Sequence, residues 1–421
     1  MMTSPISMRL IEDLRDMRTE FLAACLRSAA GFEYSRHPVP IVAITGSAGK
    51  TTTKECVAAV LASTYTVRST VGNRNDRTGV PSTLLGLSNL TSLKKFLGAT
   101  PSLLSRLVRG QPEADYLVLE IAARLPNQIP KQLRVFSPSI SIVTSIGPAH
   151  LATLGAIENV AKEKGSIVAA LPHDGYAILF QDDENVRNMA KLHSGQTLFF
   201  GFSSSADVWM DSPRRSGSGL TTVLHDPHGA MEMSFPHLMN RHHLNAVLAA
   251  WCVGLIADVP RGVMASIVQD YAPKNGRGTV WTNGNNELFY DDTFNANPLS
   301  MRAALETFRE IAGDRRRILV LGDMLELGEG SDELHESVGR AAAEVGDVLI
   351  TAGEYGGSYV KGFTEANRSG SVARCKDGSE IYQALCAERR RNGAVLLKGS
   401  HGSGMYKVVS RIKQESIARL N

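Results

Sequence analysis

The sequence predicts an α/β protein of two domains with a helical segment in front of them. Three observations carry this expectation. Short apolar runs of strand character alternate along the chain with helical patterns, as in layered parallel sheets. One such run leads through a glycine-rich turn directly into a helix. The 421 residues also exceed what one ordinary hydrophobic core serves, so two or three domains are expected.

Residues 8–30 read as one amphipathic helix, followed by a linker that ends at Pro38 and Pro40. This opening segment, 1–38, is too short to bury a core of its own. Ile41 to Ile44 reads as a buried strand and Thr51 to Ala62 as the helix after the glycine-rich turn. Further buried strands are expected at Tyr116–Leu119, Ile140–Ile146, Ile318–Leu321, Val348–Thr351 and Ala394–Leu397. The stretch from Asp207 to Pro236 is punctuated by Gly, Ser and Pro and reads as a small antiparallel insert. Gly276-Arg277-Gly278 marks a hinge. The expected domains are therefore 39–275 and 276–421, with no internal repeat and only short Ser/Gly patches at 203–205 and 216–219.

Composition excludes several classes. No segment approaches the roughly 20 uninterrupted apolar residues of a membrane span. A net charge of +3 is too small and too dispersed to predict a nucleic-acid or membrane partner. The runs Arg315–Arg317 and Arg389–Arg391 read as solvated surface. Five scattered cysteines, without a CxxC pair, suit a reducing compartment. Glu12, Asp13, Asp16 and Glu20 are out of place in a secretory signal, so the cytoplasm is expected.

The strand-to-helix turn reads Thr45-Gly46-Ser47-Ala48-Gly49-Lys50-Thr51-Thr52. Glycines let a backbone curl so that its N–H groups face an anion at a helix N-terminus. Lys50 would reach terminal phosphates and Thr51 would ligate magnesium. The longer Walker spacing needs a glycine where Ile44 stands, so the match is to a shortened GxxGKT form. Such a loop implies a nucleoside triphosphate and no particular reaction. The run Tyr116–Glu120 ends in a carboxylate at the ligand-binding end of a parallel strand, where Glu120 could share that magnesium. His150 follows the strand at Ile140, and Lys162 and Lys164 lie in the next helix. Imidazole is not a natural magnesium ligand, so physics alone assigns His150 no role.

These segments together resemble the Mur ligase family, and within it the branch that adds D-alanyl-D-alanine. The resemblance runs from about Pro40 to about Ile412. It rests on the loop at Thr45, on GNRNDRTGVPSTLL from Gly72, on DDTFNANPLSM from Asp291, on LGDMLELGEGSDELHESVG from Leu321 and on KGSHGSGM from Lys398. It implies a central P-loop parallel-sheet ATPase domain followed by a Rossmann-like domain. It further implies ATP phosphates on Gly46–Thr52 and a first magnesium on Thr51 and Glu120. A second magnesium would sit on His150 and Lys164, the lysine carried as a carbamate, with Lys162 as the alternative. Lys50, His150 and Lys164 would act in catalysis. Arg277, Asp292, Asn295 and Asn297 would contact nucleotide, while Arg124, His335, Lys398 and His401 are candidates for substrate.

The reaction so implied is ATP-dependent joining of a carboxylate to an amine or amino acid through an acyl-phosphate. Only about 40 residues precede the first strand of the P-loop, fewer than the UDP-gripping domain of the family needs. The family's ELGAN also reads Glu120-Ile-Ala-Ala-Arg124, GxHN reads Asn240-Arg-His-His243, and His401 replaces the arginine of KGSR. These departures lead to the expectation of a small acid without a UDP handle. The alternatives are the family's UDP-N-acetylmuramoyl-tripeptide and D-alanyl-D-alanine pair, a non-catalytic ATP-binding scaffold, and a transport or signalling NTPase. Oligomeric state is left open by the composition.

Overall fold

A computed structural model describes residues 5–72, 74, 75, 77–87, 98, 114–216, 219–274, 276–367 and 369–418. Asn73 and Asp76 of the Gly72 segment, two residues of the 216–219 patch and the domain boundary at 275 lie outside them.

The first helix, α1, runs Pro5–Arg36, longer at both ends than the sequence pattern suggested. It stops just ahead of Pro38, because a residue before proline is pushed out of the helical region. Leu22, Leu26 and Ala30 recur every fourth residue and are buried, forming one stripe. That stripe packs on helix α3 (Gly79–Leu84) and on one face of the first sheet. The helix between them in sequence, α2, spans Lys50–Ala62.

Strands β1 (Ile41–Thr45), β2 (Val67–Ser69), β3 (Tyr116–Glu120), β4 (Ile140–Val143), β5 (Tyr176–Phe180), β6 (Gln196–Gly201), β7 (Val208–Met210), β8 (Arg214–Ser216), β9 (Gly219–Asp226) and β10 (Gly229–Phe235) form the first sheet. Its order is β10-β9-β7-β6-β5-β4-β1-β3-β2, with β8 beside β9. Pairing is parallel from β2 through β7 and antiparallel beyond. The stretch at 207–236 is antiparallel as expected, and it continues the edge of this sheet instead of standing apart from it.

Strand β1 is buried throughout and serves two cores, since alternate side chains point to opposite faces. Val42 and Ile44 join one cluster, Ile41 and Ala43 the other. Its neighbours β3 and β4 lie on opposite sides, so their C-terminal ends open a crevice at the turn after Thr45. The run expected to reach Ile146 as strand ends at Val143, and Thr144–Gly147 instead wall that crevice.

The second sheet contains β11 (Thr279–Thr282), β12 (Leu288–Asp292), β13 (Arg317–Gly322), β14 (Val348–Ala352), β15 (Ser371–Cys375) and β16 (Ala394–Lys398), in the order β11-β12-β16-β13-β14-β15. Only β11 runs antiparallel to its neighbour, and helices cover both faces. Among the described residues, no helix is long and apolar enough to cross a membrane.

Candidate active site

The turn after β1 is shaped by two glycines. Gly46 has φ 149°, and a Cβ there would lie 1.9 Å from Thr144 Oγ1, so no side chain fits. Gly49 at φ 81° is the left-handed residue that starts α2. The loop is pinned to its wall: Ser47 N donates to Ser145 O at 2.8 Å, Ala48 N to Ser145 Oγ at 3.2 Å, and Thr144 Oγ1 to Ala48 O at 2.5 Å. Ser47 Oγ donates to Gly147 O at 3.1 Å. The first N–H groups of α2 lack helical acceptors, so the loop presents donors and a positive helix end to an anion. Lys50 Nζ folds back onto Gly46 O at 2.7 Å. Burial lowers the Lys50 pKa, Glu120 opposes the fall, and Arg277 and Arg124 add to it.

Glu120 is in register with Ile44 across β1 and β3, which sets its carboxylate beside the loop. Asn75 Nδ2 donates to its Oε1 at 2.6 Å. The other oxygen, Oε2, is buried without a hydrogen bond, and the nearest cation is Lys54 Nζ at 3.8 Å. Lys54 itself is held by Gly72 O. A buried carboxylate oxygen lacking a donor is the kind of hard oxygen ligand that suits magnesium. Among the described residues no three His, Cys, Asp or Glu side chains converge.

Lys164 is 1 % exposed, whereas Lys162 is exposed. Burial, then the neighbouring Lys50, hold the Lys164 pKa well below the usual lysine range, against a smaller pull from Glu163. Glu163 is occupied elsewhere, accepting from Asn127 N and Ile129 N, each at 2.7 Å. His150 adopts φ 57°, and its Nδ1 pairs with Glu326 of the second sheet unit. Burial lowers the His150 pKa while Glu326 opposes the fall.

Two family models match the chain: the Mur ligase middle domain over residues 44–254, and the Mur ligase glutamate ligase domain over residues 276–401. This chain belongs to the Mur ligase family. It is an ATP-dependent, ADP-forming amide ligase. It is 30 % identical over 420 residues to the UDP-N-acetylmuramoyl-tripeptide–D-alanyl-D-alanine ligase of Escherichia coli K12, covering 95 % of this chain and 82 % of that one. Among solved structures it resembles MurF from Acinetobacter baumannii, with TM-score 0.79, 24 % identity, and 93 % and 80 % of the two chains covered. MurF from Thermotoga maritima in complex with ADP has TM-score 0.79 at 23 % identity, over 94 % of this chain and 84 % of that one.

The second unit of the ligase reaches the crevice along one rim. Asn297 caps helix Pro298–Ala312 through Ser300 N at 2.8 Å and donates from Nδ2 to Ser47 O at 3.4 Å. The Arg277 guanidinium lies 3.6 Å from the Phe294 ring centre, and the glycines beside it have φ 69° and 78°. Lys398, expected to meet substrate, is buried, donating to Asp292 Oδ2 at 2.5 Å and Asn295 O at 2.9 Å. In this arrangement it orders the loop on which Asp292 and Asn295 stand. His401 is exposed, with its ring 4.7 Å from that of Tyr406 and 6.0 Å from that of Phe294.

His335, also expected to meet substrate, is fully buried. Its Nδ1 donates to Ser331 O at 2.6 Å and its Nε2 accepts from Met324 N at 2.9 Å. Both ring nitrogens are used, so its place is structural: it ties helix Ser331–Ala343 to the loop after β13. Arg124 Nη1 pairs with Glu326 Oε1 at 3.0 Å, so its partner here is a carboxylate of the ligase itself. Glu326, Lys54 and Asn75 were not singled out as site residues, although each lies in a segment that carries the family resemblance.

Proposed function

We propose that this ligase couples UDP-N-acetylmuramoyl-tripeptide to D-alanyl-D-alanine through an acyl-phosphate, at the expense of ATP. The observation that carries the reading is the relative of that name, aligned over nearly the whole chain and most of its own length. The comparisons support this pair better than the small acid without a UDP handle. The two sheet units, 39–275 and 276–421, would act as the domains that bind the two halves of the reaction.

In this proposal Gly46–Thr52 cradle the ATP phosphates by backbone N–H groups, and Lys50 leaves Gly46 O to neutralise charge on the moving γ-phosphoryl group. Thr51 and Glu120 would hold one magnesium, and His150 with Lys164 a second, each lowering the charge that the attacking carboxylate must approach. Lys164, whose pKa is lowered by burial and by Lys50 so that more of it is the free amine, is suited to attack CO₂: an N–C bond forms as a C=O π bond opens, a proton leaves, and the product is an anionic carbamate. Arg277 and Asp292 would flank the nucleotide, with Asn295 and Asn297 completing the loop. The amine then attacks the acyl carbonyl and phosphate leaves, in a crevice shielded from water by the second unit. The compartment we propose is the cytoplasm, and all partners are small molecules.

The test is ADP release with mass detection, using that tripeptide and dipeptide. Formation of the pentapeptide product supports the proposal. ATP binding without turnover on this pair would sink it and return the small-acid reading.

A further inference from the structure

The loop after β13 meets the His150 turn in three ways at once. The Glu326 carboxylate bridges Arg124 Nη1 and His150 Nδ1, the Glu326 carbonyl accepts from Ala152 N at 3.3 Å, and Gly328 lies so close that a Cβ there would sit 3.0 Å from Ala152 Cα. Thr153 Oγ1 donates to the Arg124 carbonyl, so the two central-unit partners are themselves fastened together. Glu326 (φ 66°) and His150 (φ 57°) are both left-handed, a conformation that non-glycine residues keep only where their surroundings hold them. Arg124 stands where the family pattern has asparagine, so the Arg124 half of this bridge departs from that pattern.

A carboxylate on Nδ1 selects the neutral Nδ1–H imidazole and fixes the plane of the ring, leaving the Nε2 lone pair facing away from Glu326. We propose that Glu326 is a positioning residue for His150, delivered by closure of the second unit, and that Arg124 locks it in place. The histidine would then be set for its task only when the two units are together. This goes beyond the proposed function and rests on it only in placing His150 at the reaction site.

The test uses the full chain without substrates, so its outcome is independent of which acid and amine are used. Spectra of ¹⁵N-histidine-labelled protein should show the His150 signal as the Nδ1–H tautomer, turning to Nε2–H in Glu326→Ala. Small-angle scattering should show Glu326→Ala and Arg124→Ala each shifting the population toward the open form. For an exposed arginine–carboxylate pair the expected shift is about two- to five-fold in the closure equilibrium. The double variant should shift no further than the larger single effect, and Arg124→Lys should restore most of it. If Glu326→Ala does not fold, Glu326→Gln, of the same size, is scored in the same way. An unchanged His150 tautomer, or additive effects of the two substitutions, overturns the proposal.

Discussion

At the scale of single residues, the site depends on where charge is stripped of water. Under the proposed function Lys50 would meet the moving phosphoryl group, so Lys50→Ala should lower ADP release by roughly 10²–10³-fold while leaving the melting temperature close to wild type. Lys164 makes a different prediction. Its lowered pKa leaves a larger neutral fraction at ordinary pH, which is the form that captures CO₂. Removing CO₂ from the buffer should therefore lower activity, and bicarbonate should restore it. A carbamate carbon should appear in ¹³C spectra of wild type and be absent from Lys164→Gln. Lys50 and Thr51 stand out as candidates in the sequence because a local order of strand, glycines, lysine and helix announces them, and Glu120 because it ends an apolar strand run. Glu326 does not, since it meets His150 across 176 residues and no local spacing encodes that contact. Lys54 and Asn75 were hidden for a similar reason: their purpose is visible only once Glu120 stands beside them.

At the scale of elements, the strands legible in advance were largely buried ones, such as β1, β3 and β14, whose short continuous apolar runs mark them out. Edge strand β2 is only partly buried, β15 is mostly exposed, and both escaped that pattern. Helix caps carry more than helix stability here. Asn297→Ala should cost about 1 kcal/mol by denaturant unfolding, through loss of the cap, and should raise the KM for ATP because its Nδ2 also holds Ser47 O. The junction between the units holds a pH response. His243 packs against Gly278, and burial pushes its pKa down from 6.5 to about 4. The folded state then binds fewer protons than the unfolded one, so its contribution is present above pH 6.5 and is lost as pH falls through 4. Unfolding free energy should drop by about 3 kcal/mol across that window from this group, and the slope should flatten in His243→Gln.

At the scale of the whole molecule, α1 packs on the first unit through the stripe of Leu22, Leu26 and Ala30. Leu26→Ala, at a fully buried position, should cost about 2–5 kcal/mol, while Arg215→Ala, which breaks a rim pair to Glu310 at 2.8 Å, should cost less than about 1 kcal/mol. Calorimetric melting distinguishes the two. The arrangement of the first sheet also orders events in time. Strands β9 and β10 pair across a two-residue turn, with Asp226 opposite Gly229, and such hairpins close in microseconds. The loop around Gly46 has no such shortcut, because Thr45 bonds partners 76 and 99 residues further along the chain. Loop-closure entropy delays contacts of that span. A chain made from its N-terminus therefore carries β1, with its apolar run Ile41–Ile44, without neighbours until β3 and β4 have been synthesised, which makes this segment a natural client for chaperones during translation.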